Sequence, residues 1–288
     1  AILYVAGVKA SHYGIGAVAA ALTQKAAAHC GHHHRQGQDQ SEGRRRQANQ
    51  INQWQKIKDY FANLDHLSHS AIITDPYLFF KRRILNLQSS DKFSGGGLGR
   101  EFGAAFHPTI QKVLENDAKV EDYDGNTRKA LENAMAGIEQ LKNEFSGLKF
   151  EDAEFGVKVK LSSITNYTGD LDFTGKIDAV FKHDNGTLLV DWKTDKKAKS
   201  EHKQQLAAYK KAYSLQEGIP EDEIKTCVVY VSLRGSINTG KFDLFIDHAG
   251  NYNFFGTFER HLKKILEWID DPGKFIEEFT AMNETEAL

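Results

Sequence analysis

Cysteine is almost absent: Cys30 and Cys227 are the only two in 288 residues. That excludes a disulfide framework and any metal site built from four thiolates. No run of about 18 apolar residues occurs, so no segment reads as a membrane span. The apolar start Ala1-Ile2-Leu3-Tyr4 also lacks the charged opening of a signal peptide. A cytoplasmic setting is the resulting expectation. An excess of one charge is missing too, since 37 Lys and Arg stand against 39 Asp and Glu, for a net charge of −2, and the isoelectric point is about 6.7. Attraction of the whole molecule to a polyanion is thereby excluded, and any affinity for nucleic acid has to be local. No G-x-x-x-x-G-K-[ST] exists, so no bound nucleotide and no ATPase are expected. Gly95-Gly96-Gly97-Leu98-Gly99-Arg100 lacks the lysine and reads as a flexible turn.

The most informative stretch joins Lys176-Ile177-Asp178 to Asp191-Trp192-Lys193. Gly175 to Lys182 and Thr187 to Lys193 are β-rich runs separated by His183-Asp184-Asn185-Gly186, a strong hairpin signal. A two-residue loop at Asp184-Asn185 sets Asp178 opposite Asp191. A loop at Asn185-Gly186 sets Asp178 opposite Lys193. Both registers keep the three side chains on one face, because strand residues alternate sides. Leu188, Leu189 and Val190 before Asp191 argue for a buried strand delivering a charged end. Two carboxylates so close repel each other, and a hard cation such as Mg²⁺ removes the conflict. Asp178, Asp191 and the Trp192 carbonyl are candidate ligands. Lys193 then has two candidate tasks, orienting the attacking water or stabilising charge on a pentavalent phosphate.

At this point the chain resembles the PD-(D/E)XK nucleases, and specifically their RecB-like branch. Gly103-Ala104-Ala105-Phe106-His107 is similar to the branch's first motif and Gly175-Lys176-Ile177-Asp178 to its second. Leu189-Val190-Asp191-Trp192-Lys193-Thr194 and Gln205-Leu206-Ala207-Ala208-Tyr209 are similar to the third and fourth. Each motif alone recurs by chance, and their order and spacing carry the resemblance. It implies His107, Asp178 and Asp191 as metal ligands, Mg²⁺ or Mn²⁺ as the ion, Lys193 as the catalytic lysine, and Gln205 and Tyr209 lining the site or touching DNA. Gln205 and Tyr209, at i and i+4, share a helix face. Glu154 precedes a strand that would run beside Asp178, and some family members place an acid thereabouts. Asp75-Pro76-Tyr77 resembles the branch's N-terminal Cys-Pro-Tyr with aspartate in place of cysteine. With two cysteines in all, no iron–sulfur cluster is expected.

Local basic groups supply candidate DNA contacts: Lys81, Arg82 and Arg83 after a run of aromatics, and Lys196 and Lys197 just past Lys193. Residues 1–23 resemble the end of a UvrD/Rep-type helicase, and residues 24–50, with His32-His33-His34 and Arg44-Arg45-Arg46, read as a polar linker. A start without Met agrees with a segment of a longer helicase–nuclease.

Residues 51–288 are expected to carry the nuclease. Helical spacing runs near 52–63, 67–88, 100–116 and 126–146, with Leu131, Ile138, Leu141 and Phe145 on one face. Strands are expected near 151–165, 172–182, 187–194, 226–234, 242–247 and 251–255, and helices near 200–216 and 256–270. The expected fold is α/β, a small mixed sheet flanked by helices, with an N-terminal helical region. The function expected is a metal-dependent deoxyribonuclease, acting as an exonuclease or end-processing enzyme in recombination and repair, with DNA and a helicase domain or subunit as partners. The rival readings are a catalytically silent nuclease fold that binds DNA ends or a partner protein, and a structure-specific RNA endonuclease.

Overall fold

A computed structural model describes residues 52, 54–86, 100–195, 198–232, 236–247 and 254–286. The helicase-like and linker segments, the glycine-rich turn, Lys196 and Lys197 lie outside the described residues. Among those described, no helix is long and apolar enough to cross a membrane. Two compact units are present. One comprises the chain up to Leu64, Thr74–Ser89 and the residues from Lys263 onward, and the other comprises Asp65–Ile73 and Ser90–Leu262.

The first unit is held by aromatic rings. Helix α1 (54–62) supplies Phe61, whose ring stacks on Phe79 at 5.9 Å, while Trp268 and Phe275 meet Phe79 edge-on at 5.6 and 5.8 Å. Offset and edge-to-face rings at such spacings add to the apolar area they bury.

The second unit is built on a six-stranded mixed sheet. Its strands are β1 (His66–Ser68), β2 (Lys149–Lys160), β3 (Asp172–His183), β4 (Gly186–Lys193), β5 (Ile224–Tyr230) and β6 (Asp243–Asp247). The order is β1-β3-β4-β5-β6, with β2 also paired to β3. The β3–β4 ladder runs from His183↔Gly186 to Ala179↔Val190, so the loop is Asp184-Asn185, the first of the two expected registers. Gly186 is required there, because its φ of +141° and a Cβ that would stand 2.0 Å from the Glu223 carbonyl oxygen exclude a side chain.

Three partners on one strand produce the feature that matters for function. Residues 172–174 of β3 pair with β2 and with β1 at once, so β1 and β2 lie on opposite edges of β3. Strand β4 shares the β1 edge but stops at Ala179, and β1 begins only at Thr174. Gly175 to Asp178 therefore face a fork in the sheet. Beyond it β4 continues with β5, parallel, from Thr187↔Ile224 to Lys193↔Tyr230, as a β-α-β connection requires.

One face of the sheet presents Ala179, Phe181, Leu188, Val190, Trp192 and Val229 to a core shared with Phe106, Ile110, Leu131, Ile138 and Leu141. These come from α4 (Arg100–Leu114) and α5 (Gly125–Glu144), and each large side chain buried this way contributes about 1.5–3 kcal/mol. The other face carries α7 (Ser200–Glu217), which packs on β2, β3, β4 and β5. Strand β4 is thus buried on both sides, which explains its unbroken apolar run.

The sequence expectation fails in three places. The long helix at 67–88 is instead β1, α2 (His69–Ile72) and α3 (Pro76–Phe79), followed by a wider helical turn closed by Leu85 N–H to Phe80 C=O. Leu67 pairs with Phe173, and Pro76 cannot continue a helix from before it, so it opens a new one. Asp75 caps that helix by accepting the Leu78 N–H at 2.9 Å. Strand β2 ends at Lys160, and α6 (Leu161–Ile164) takes up the remainder of the expected strand. Of the strand expected at 251–255, Phe254 and Phe255 open the helix α8 (Phe254–Asp270), and 251–253 lie outside the described residues. Strand β6 and the final helix α9 (Pro272–Glu286) complete the order.

Buried Asn133 on α5 ties this frame together. Its amide nitrogen lies 2.9, 3.0 and 3.2 Å from the carbonyl oxygens of Val231, Asn238 and Lys241, and its oxygen accepts the Gly240 N–H at 2.8 Å. Val231 N–H in turn donates to the Lys193 carbonyl at 3.0 Å. Replacing Asn133 by Ala strands several buried polar groups, and chemical denaturation is expected to show a loss of about 2–3 kcal/mol.

Candidate metal centre

The fork gathers charge that the surrounding sheet excludes. Where the ladder would next pair Asp178 with Asp191, the Asp178 side chain takes over: its Oδ2 accepts the Trp192 N–H at 2.8 Å. A strand residue's N–H and C=O project to the same edge, so the Trp192 carbonyl faces the same opening. The Trp192 ring lies on the opposite, apolar face, in the core. Asp191 and Lys193 share the α7 face, as alternation dictates, and Nζ of Lys193 lies 2.8 Å from both Asp191 carboxylate oxygens.

Helix α4 brings His107, with Nδ1 3.3 Å from Asp178 Oδ2. Gly103, one turn earlier, lets this helix approach the end of β4: a Cβ there would stand 3.0 Å from Thr194 Oγ1. Helix α7 brings Gln205, whose Oε1 is 3.4 Å from Lys193 Nζ and whose Nε2 donates to the Tyr209 hydroxyl at 3.2 Å. The Tyr209 ring occupies the place of a side chain on Gly175, where a Cβ would come within 2.2 Å of the ring. The glycine of the Gly175-Lys176-Ile177-Asp178 motif is thus the floor on which Tyr209 lies.

A further acid completes the cluster. Glu154 stands in β2 between Ala153↔Ala179 and Phe155↔Ile177, hence across from Asp178. Its φ is +54°, a left-handed conformation that a non-glycine residue in mid-strand holds only at a cost of about 1–3 kcal/mol. It pairs with Lys176 at 2.9 Å. His107, Glu154 and Asp178 can each offer a donor atom, with all three atoms within 4.8 Å of one another.

Electrostatics fit a cation. Burial pushes the Asp191 carboxyl up to about 6 against the pull of Lys193, and the charge of Asp178 adds to the rise. Burial lowers Lys193, but the carboxylates of Asp191 and Asp178 outweigh it and hold the amine protonated. Burial also lowers His107, yet its hydrogen bond and charge contact with Asp178 leave it above the ordinary value. Asp191 Oδ2 is buried with no hydrogen bond of good geometry. An oxygen and imidazole donor set around a buried carboxylate suits a hard or borderline divalent ion.

Of the residues singled out from sequence, His107, Asp178, Asp191, the Trp192 carbonyl, Lys193, Gln205 and Tyr209 come together. Lys81, Arg82 and Arg83 belong to the other compact unit, on the turn after α3. Glu154 had only a weak sequence signal, because its place depends on a β2–β3 register that no tight turn fixes.

A family model described as PD-(D/E)XK nuclease superfamily matches residues 66–279. No curated protein matches the chain. A solved structure titled "Crystal structure of SSO0001" aligns at 11% identity over 74% of this chain and 86% of that chain, with a TM-score of 0.30. So loose a likeness carries no argument. The mixed sheet flanked by helices is consistent with the superfamily's fold.

A metal ion held by Asp191 and His107 would compete with protons on both groups, each raised in the fold, so acid would weaken it. Calorimetric titration with Mn²⁺ is expected to show affinity rising by about tenfold or more from pH ~5.5 to pH ~7.5, with proton release. An affinity independent of pH over that range would contradict the assignment.

Proposed function

We propose that this chain, which belongs to the PD-(D/E)XK nuclease superfamily, is a metal-dependent nuclease that hydrolyses phosphodiester bonds in DNA. The observation that carries this reading is the fork, where Asp178, Asp191 and Lys193 meet His107 and Glu154. Mg²⁺ or Mn²⁺ would be held by His107, Asp178 and Asp191, with the Trp192 carbonyl and Glu154 as further donors. Such an ion, when bound, supplies Lewis acidity to a phosphate oxygen and acidifies water.

The remaining chemistry belongs to the chain. Lys193 stays cationic, with 16% of its side chain exposed at the opening. From there it orients the attacking water and balances the charge that builds on phosphorus. Gln205 accepts from Lys193 and donates to Tyr209, which keeps the amine aimed at the opening. The low-dielectric walls strengthen each of these interactions. Processing of DNA ends, in recombination and repair beside a helicase domain or subunit, is the setting we favour. The helicase-like residues 1–23 and the RecB-like motif order support it. Lys81, Arg82, Arg83, Lys196 and Lys197 remain proposed DNA contacts, with Gln205 and Tyr209 in the site itself.

Labelled single-stranded DNA, double-stranded DNA and RNA, each incubated with Mg²⁺ or with EDTA, test the reading. Metal-dependent cleavage of DNA is expected. Asp178→Ala, Asp191→Ala and Lys193→Gln are each expected to lower kcat/KM by about 10²–10³-fold or more. Lack of any metal-dependent cutting would favour a binding module instead, and a preference for RNA would favour an RNA endonuclease.

A further inference from the structure

His202 carries no part of the chemistry described so far, yet it is buried and fully engaged. It stands in the first turn of α7, on the same face as Gln205 and Tyr209 by the helical spacing. Its Nε2 lies 3.2 Å from Asp195 Oδ2, and its Nδ1 lies 3.2 Å from the Tyr230 hydroxyl. Asp195 follows Lys193 by two residues, and Tyr230 is the cross-strand partner of Lys193 on β5. One imidazole thus bridges both chain segments that flank the lysine. Both ring nitrogens therefore have polar partners, Asp195 at one and the Tyr230 hydroxyl at the other. Asp195 is also held by Lys199 at 2.7 Å.

The same stretch is pinned from the other side. Val231 N–H donates to the Lys193 carbonyl at 3.0 Å. Ser232 Oγ stands 3.1 and 3.2 Å from the carbonyl oxygens of Thr194 and Asp195. Three consecutive carbonyls are therefore fixed by β5 and its extension, while Asp195 reaches across to His202 in the first turn of α7 and to Lys199 just before it. Gln205 reaches Lys193 at the outer limit of a hydrogen bond, 3.4 Å, so a small movement of the α7 start breaks that contact.

We propose that His202 is a positioning residue: by clamping α7 to Asp195 and Tyr230 it fixes the distance between Gln205 and Lys193. This rests on the nuclease reading for its functional consequence, but the clamp itself is a statement about structure. Misplacing a catalytic group by about an ångström lowers turnover by up to ~10²-fold while leaving substrate and metal contacts in place. His202→Ala is expected to lower kcat about tenfold or more, with KM and the Mn²⁺ dissociation constant within about twofold of wild type. His202→Gln, which keeps a donor near the Nε2 position, is expected to recover most of that loss. Asp195→Ala combined with His202→Ala is expected to cost less than the two changes added together, because both remove the His202–Asp195 tie.

Backbone hydrogen exchange of residues 193–206 gives a second readout that needs no activity, and His202→Ala is expected to raise it by about tenfold, with His202→Gln lying nearer wild type. A kcat within twofold of wild type in His202→Ala overturns the proposal, as does unchanged exchange in that segment or a loss carried by KM. Should the wild-type chain cut no nucleic acid, the nuclease reading fails by itself, and the exchange comparison decides the clamp alone.

Discussion

The structure depends on one missing ladder rung. Strands β3 and β4 pair from the hairpin to Ala179↔Val190 and then separate, and the Asp178 carboxylate takes the Trp192 N–H that a neighbouring strand would otherwise bond. A side chain can do this only if β4 keeps another partner, and β5 supplies it along the full length of β4. The opening that results is lined by residues of strands and of helices α4 and α7, so its side chains are aimed by regular elements.

Holding charge there runs against the rest of the packing. Asp191 is 2% exposed, and its neighbours on β4 are Val190 and the buried Trp192. An unpaired carboxylate at such depth is strongly disfavoured. Lys193 offsets part of that cost, at the price of burying an amine as well. The second carboxylate, Asp178, makes the balance worse, and Glu154 beside it is held in a strained backbone conformation. Four ionisable groups arranged against their own stability make sense when a cation completes them. Lys176 gives the same indication from the outside, since it covers Glu154 with the only positive charge paired to it among the described residues.

Much of this was legible in the chain. Alternation along Leu189-Val190-Asp191-Trp192-Lys193 placed the acid and the amine on one face, and the spacing of Gln205 and Tyr209 put both on one helix face, which the family resemblance pointed at the site. Two registers were open from the hairpin sequence, because Asp184-Asn185 and Asn185-Gly186 are both acceptable turns. The structure takes the first, with His183 paired to Gly186. Long-range pairing defeated the helix expected at 67–88: Leu67 joins β3 across about a hundred residues, and local spacing carries no trace of that bond. His202 escaped for the same reason, and Glu154 drew only a weak signal. Each acquires its meaning from a partner, Asp178 or Asp195, whose nearness is created by β2–β3 register or by the closure of α7 onto β4.

The central claim is that the fork is a metal centre formed by both sides of the divided sheet. Crystals of the chain soaked with Mn²⁺, with anomalous scattering used to locate the ion, test it most directly. The account predicts one anomalous peak within coordinating distance of His107, Asp178 and Asp191, with Lys193 Nζ drawn off at least one Asp191 oxygen. A fork that holds no ion at saturating Mn²⁺, with Asp191 still locked to Lys193, would contradict it.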